Sequence, residues 1–207
     1  MARAASTKGQ TRIQREKTEQ ILEAALEVFA TYGFRGSTID QIAAQSGLSK
    51  PNILYYFDGK EAIHAVLLAR LLTTWLEPLE QMSDIGDPID EICAYMGRKL
   101  AMSRDYPRES RLFANEILQG APRILDALTG QLKTLTDEKA TLIQGWCDAG
   151  LIKAIDPYHL IFSIWSTTQH YADFDVQVRA VLAGNANKRF EQAATFLDTM
   201  YRATLTP

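Results

Sequence analysis

Along nearly the whole chain, apolar residues recur at spacings of three and four, not two. Ile21, Leu22, Ala25, Val28, Phe29 and Tyr32 form one such stripe, which Gly33 is expected to end. Residues 60–82 carry another, through Ile63, Val66, Leu67, Leu71 and Leu79. No alternating β-branched run and no Asn-Gly hairpin signal is present, so the pattern predicts an all-α chain. Helix starts are marked chemically. Thr38 stands three residues before Gln41, and Asp58 three before Glu61, both capping-box spacings. Asp87-Pro88 and Asp156-Pro157 place a capping acid before a proline at the first helical position. Pro107 and Pro122 mark two further starts. The expected helices number about nine, over 17–32, 39–46, 50–56, 60–82, 88–104, 107–118, 122–149, 157–182 and 187–203. Residues 1–16 read as a flexible arm.

The segment QIAAQSGLSKPNILYYF, Gln41–Phe57, is the least core-like part of this pattern. Isolated helices shorter than about 12 residues are marginal in water, so 39–46 and 50–56 need support from 17–32. Ala43 and Ala44 are small enough for close helix approach. Gly47 can take the left-handed conformation that ends one helix and redirects the chain, after which Ser49 is placed to cap the next and Pro51 falls in its first turn. This is a helix-turn-helix, whose second helix presents its N-terminal side chains to a DNA major groove. Lys50 can reach a phosphate or a guanine edge, and Asn52 can pair with adenine. Tyr55 and Tyr56 can donate to phosphate oxygens. Lys60 begins the next helix, whose free N–H groups attract phosphate, and Thr38 can hold another while capping its own helix. Thr38, Ser49, Lys50, Pro51, Asn52, Tyr55, Tyr56 and Lys60 are therefore the candidate DNA-contact residues. The alternative is a solvated helical corner that touches no DNA.

Charge separates the two ends of the 207-residue chain, whose net charge is −3. Residues 1–60 carry eight Lys/Arg against six acids, whereas the remainder carries fourteen against nineteen. The basic excess sits where a phosphate backbone would want it. The N-terminus is polar and has no secretory apolar segment, and no apolar run approaches the roughly 18 residues of a membrane span. The expectation is a cytoplasmic protein. Cys93 and Cys147 fall in apolar helical patterns, and the three histidines lack zinc spacing. No metal or cofactor is expected. An enzyme built on His64, Cys93 or His170 lacks a nucleophile elbow, a metal cluster or a phosphate loop.

The stretch GFRGSTIDQIAAQSGLSKPNILYYFDGKEAI resembles the signature of the tetracycline-repressor (TetR) family of bacterial regulators. The likeness rests on the Gly-Phe that ends the first helix, Thr38 with Ile42-Ala43, Gly47 with Ser49-Lys50, and Tyr56-Phe57 followed by Lys60-Glu61. It implies a DNA-binding domain over 17–59 and a ligand-binding and dimerisation body over 60–207. It further implies a ligand-responsive repressor, not an enzyme, that binds double-stranded operator DNA as a homodimer.

In the body, Trp165 and Gln169 lie four apart on one expected helix face, and Asp173 extends that line by a turn. Together with Trp75 they can hold a flat polar ligand, the indoles stacking and the Gln amide matching a carbonyl and a ring N–H. The alternative is that both tryptophans are ordinary core residues. SRDYPRESRLF, LTGQLKTLTDEKATLIQGW and IDPYHLIFSIWSTTQHYADF resemble the body of pyrimidine-responsive members of the family. That resemblance implies uracil or thymine as effector and adds Ser103 and Tyr171 to the candidate ligand residues. Another small aromatic or nitrogenous metabolite is the alternative. Leu160, Ile161, Ile164, Tyr171, Phe190, Ala194, Leu197 and Tyr201 exceed what one core needs and are expected to form a four-helix interface between subunits.

Overall fold

A computed structural model describes residues 12–207, which contain helices and no strand. Helix α1 spans Arg12–Gly36, so residues 12–16, expected in the arm, are helical. The rest of that arm, with Arg3 and Lys8, lies outside the described residues. The chain divides into two compact units between Leu67 and Leu68, eight residues later than the 59/60 boundary the motifs suggest.

The first unit is α1 with α2 (Ile39–Ser46), α3 (Lys50–Tyr56) and the opening turns of α4 (Lys60–Glu80). The α1 stripe is buried from Ile21 to Phe29, but it does not include Tyr32, which is exposed. Gly33 (φ 67°, ψ 170°) leaves the helical conformation and interrupts the helix as expected, and Phe34 beyond the kink joins the core. Thr38 forms the full capping box: its hydroxyl accepts from the Gln41 N–H, and its own N–H donates to the Gln41 side chain. Gly47 ends α2 at φ 67°, ψ 16°, the left-handed region that a side chain would strain. Ile42 and Ile53 are fully buried and anchor the two short helices. The Gln20 amide donates to the Ser46 carbonyl at 2.6 Å, tying α1 to the end of α2. Ala43 is only half-buried and Ala44 exposed, so close approach at α2 runs through Ile42 instead. The residue before α4 is Gly59, not Asp58.

The second unit holds the rest of α4, α5 (Pro88–Asp105), α6 (Pro107–Leu118), α7 (Leu125–Ala127), a π-helical turn (Leu128–Leu132), α8 (Lys133–Asp148), α9 (Pro157–Asp173), α10 (Asp175–Leu182), a 3-10 turn (Ala183–Lys188) and α11 (Arg189–Leu205). Asp87 and Asp156 cap α5 and α9 through backbone N–H groups, as their Asp-Pro pairs predict. Two expected helices are corrected. No helix starts at Pro122, because the chain first makes a turn around Glu116, whose buried carboxylate accepts from the Arg123 N–H and guanidinium. The expected helix 157–182 breaks at Phe174, where α10 starts in a new direction, and its Asp175 pairs with Arg189 at 2.9 Å.

The core of this unit joins Leu79 and Met82 to α5, α8, α9 and α11. It also absorbs most of the expected subunit interface. Leu160, Ile161, Ile164, Leu197 and Tyr201 are buried inside the unit itself, with Tyr171 and Phe190 packed at its edge and Ala194 exposed. The large apolar side chains left in solvent on these helices are others, among them Phe162, Val176, Val181 and Phe196. Among the described residues, one helix, Lys60–Glu80, has the length and hydropathy to cross a membrane, and 56% of its most apolar stretch is buried in the protein.

Candidate DNA-contact face and effector chamber

The helix-turn-helix sorts its side chains cleanly. Ile53 and Phe57 point into the first unit, while Pro51, Asn52, Leu54 and Tyr55 face outward. Tyr55 is 74% exposed and meets the half-buried Tyr56 edge to face, with ring centroids 5.1 Å apart. That contact holds one hydroxyl in solvent without burying it. Ser49 occupies the capping position of α3, but its side chain makes no capping bond, so its hydroxyl is not committed to the helix. Lys50 reaches back to Asp40 at 2.9 Å, a solvent-exposed pair that contributes little to stability.

Lys60 departs from the expected role. Its ammonium donates to the Phe34 and Ser37 carbonyls at 2.9 and 2.8 Å and lies 4.5 Å from the centre of the Phe34 ring. It closes the C-terminal end of α1 instead of standing free for phosphate. His64, one turn on, is buried between Phe29 and Phe34. These two residues explain why the opening of α4 belongs to the first unit.

In the second unit, Trp75, Trp165 and Gln169 come together around an inner chamber of about 50 Å³. Leu72, Leu76 and Leu79 join Trp75 on the α4 wall; Tyr95 and Lys99 come from α5, Phe113 from α6 and Leu132 from the π-helical turn. The Trp165 indole donates to the Tyr95 hydroxyl at 2.6 Å. Burial pushes the Tyr95 phenol well above its usual range, partly opposed by that bond. The Trp75 indole N–H is buried with no hydrogen-bond partner among the described residues. Phe113, Leu132, Trp165 and Gln169 also line an outer chamber of about 540 Å³, which adds Arg111, Asn115, Asp173 and Phe174. Asp173 accepts from the Ser110 hydroxyl at 2.6 Å; burial raises its carboxyl, and that bond draws it back.

Two candidates lie elsewhere. Ser103 is buried, but its hydroxyl bonds to the Lys99 carbonyl one turn back and lines neither chamber. Tyr171 points the other way on α9, against Phe190 and a surface groove with His170 and Val181. Conversely, Lys99 is a chamber residue that charge patterning hides. It is only 3% exposed, its ammonium lies 5.2 Å from the centre of the Trp75 ring, and that ammonium makes no hydrogen bond or ion pair among the described residues. Desolvation lowers its pKa to about 8, with the Asp173 charge opposing the shift. The signal was present in the spacing Ile92, Met96, Lys99, Ser103, which puts Lys99 on the inward face of α5. Among the described residues there is no cluster of three His, Cys, Asp or Glu placed for a metal ion.

The comparisons with known proteins agree with this division. Residues 21–66 match the bacterial regulatory proteins of the tetR family, and residues 68–207 match the C-terminal region of YcdC-like proteins. The HTH-type transcriptional regulator RutR of Escherichia coli K12 is 51% identical over 165 residues, covering 80% of this chain and 78% of that protein. A crystal structure of a transcriptional regulator from Streptomyces coelicolor superposes with a TM-score of 0.67 at 26% identity, covering 90% of this chain and 97% of its own. AibR, solved in complex with isovaleryl coenzyme A and operator DNA, gives a TM-score of 0.65 at 19% identity over 89% and 97% of the two chains, a likeness of fold. From the capped helix-turn-helix, the matched body and the identity to RutR it follows that the chain belongs to the TetR family of bacterial regulatory proteins, and is a DNA-binding, ligand-responsive transcriptional regulator rather than an enzyme.

Proposed function

We propose that this regulator is a cytoplasmic repressor that binds operator DNA as a homodimer and releases it when uracil, thymine or a related pyrimidine enters the chamber beside Trp75. One observation carries the reading: two indoles and the Gln169 amide bound a single small chamber, and the Trp75 wall of it is α4. A planar ring with alternating carbonyl and N–H groups matches that lining, stacking on the indoles and pairing with the amide. The resemblance of the body to pyrimidine-responsive regulators favours the same ligand. Pro51, Asn52, Tyr55, Tyr56, Ser49, Lys50 and the Thr38 hydroxyl remain the DNA-contact set, while Lys60 serves as a tie within the head.

The mechanism follows from which helix forms the wall. A ring that enters the chamber packs against α4 and so biases the position of that helix. Trp75, Leu72, Leu76 and Leu79 all ride on α4, and the same helix begins at Lys60 and His64, which are fixed to the end of α1. A shift of α4 thus moves the head that carries α3. In a dimer, it changes the separation of two recognition helices that must fit half-sites about one turn of DNA apart. The exposed Val176, Val181 and Phe196 supply apolar surface for the partner subunit.

Fluorescence anisotropy with a duplex selected by the protein from a random library tests the reading. Uracil or thymine should weaken binding by roughly 5- to 150-fold, the range of a 1–3 kcal/mol coupling. Operator affinity indifferent to every pyrimidine, but responsive to a larger nitrogenous metabolite, would assign the effector to the outer chamber instead.

A further inference from the structure

Lys99 is a buried cation with no anion bonded to it among the described residues. A lysine is almost never this deeply buried without a partner. Apart from the face of the Trp75 ring, 5.2 Å away, its described neighbours supply neither an anion nor a free hydrogen-bond acceptor. From α9 it feels the charge of Asp173, which is already bonded to Ser110 and lines the outer chamber, not the inner. From α4 it faces the Trp75 ring and leucines, from α6 Phe113, and from the π-helical turn Leu132, none of them charged. On its own helix Tyr95 lines the same chamber, but burial keeps that phenol protonated and its oxygen already accepts from Trp165. Arg111 and His170 act on Asp173.

Resting on the pyrimidine reading above, we propose that Lys99 is the specificity-determining anchor of the effector chamber. Its ammonium donates to a ring carbonyl oxygen, so the chamber accepts an imide such as uracil and rejects a ring that presents an exocyclic amino group there, such as cytosine. Lysine has three donors and no acceptor. A ligand carbonyl gives the buried cation the partner that the protein withholds. An amino group sets donor against donor and leaves both unsatisfied in a dry site, the arrangement that yields strong discrimination. The geometry assigns the complementary contact to Gln169, which opens on the same chamber and can serve a ring N–H through its carbonyl.

Isothermal titration of the full-length protein tests this. Wild-type protein should bind uracil well above cytosine. Lys99→Met should lose about tenfold or more in uracil affinity, the scale of a hydrogen bond to a charged group, while its cytosine affinity rises as the donor–donor conflict is removed, so that discrimination collapses. Equal uracil affinity in wild type and Lys99→Met would overturn the role of Lys99 and leave the pyrimidine reading intact. Wild-type protein that binds neither base would remove the reading and the inference together. The wild type also answers alone, should the variant fail to fold. Burial lowers the pKa of the Lys99 amine to about 8, and a carbonyl partner raises it. Uracil binding at pH 8 should therefore take up a fraction of a proton, read from buffers of different ionisation heat, and affinity should fall as pH rises further. No uptake, or proton release, would overturn the proposal.

Discussion

On α3, Asn52 and Tyr55 stand in solvent on either side of Ile53, which is fully buried; on α5 and α9, Lys99 and Gln169 turn inward on a chamber walled by tryptophan. The same kinds of polar side chain are spent in opposite directions. In the head, apolar anchors and backbone caps hold the helices, which leaves the polar groups free for a partner outside the molecule. In the body, polar groups are drawn inside at a cost, because a buried donor without an acceptor forfeits its hydration. Outward polarity suits a large, solvated polyanion, whereas inward polarity suits a ligand small enough to be enclosed. The energetic consequence is that the head can lose Asn52 or Tyr55 with little loss of stability, while the body gains stability when it loses Lys99.

The sharpest way to break this contrast is to remove an anchor. Ile53→Ala should destabilise the head by about 2–5 kcal/mol and abolish operator binding, while the tryptophan fluorescence response to uracil survives. If that response vanished as well, the two units would not be separable in function.

Lys99→Met sharpens the contrast from the other side. Replacing a buried cation with an apolar side chain of similar length should stabilise the protein by on the order of 2–3 kcal/mol near neutral pH, read from chemical denaturation. The folded-state pKa of Lys99, about 8, lies below its unfolded value of 10.5. Between those limits the unfolded chain holds more protons, so the penalty is full below pH 8 and fades as pH rises toward 10.5. The stability gap between variant and wild type should close over that window.

Lys60→Met should cost about 1.5 kcal/mol, since two charge-assisted bonds to the end of α1 are lost. It should also reduce the effect of uracil on operator affinity more than it reduces operator affinity itself. A variant that simply weakened phosphate binding, with no change in stability, would restore Lys60 to the DNA face. The smallest effect on stability belongs to Lys50→Ala, below about 1 kcal/mol because its pair with Asp40 is exposed. Its operator affinity should nevertheless fall across sequences, with the salt dependence reduced by about one phosphate contact.

The sequence was most legible where a structure is decided locally. Thr38 with Gln41, Gly47, Asp87-Pro88 and Asp156-Pro157 each specify a helix end through bonds within four residues, and each stands where its chemistry indicates. The family signature over Gly33–Ile63 is made of such signals. The misreadings arise where distant residues decide. Phe174 breaks a continuous apolar pattern that has no proline or glycine, in a place where Ser110 holds Asp173 and Arg189 holds Asp175. Glu116 and Arg123 hold a turn where Pro122 suggested a helix start. Lys60 reads as a free cation until Phe34 and Ser37, at and just past the end of α1, deliver two carbonyls to it. The same limit applies to the apolar faces of α9 and α11. Periodicity locates a buried face but does not say whether this subunit or a partner buries it, and Leu160, Ile164 and Leu197 went to the subunit's own core.

The central claim is that filling the body's chamber changes the grip of the head on DNA, and linkage makes it directly measurable. Operator affinity titrated across a series of uracil concentrations, paired with uracil affinity measured on free and operator-bound protein, should give the same factor in both directions, with each ligand weakening the other. An operator complex that binds uracil as tightly as the free protein does would contradict the account.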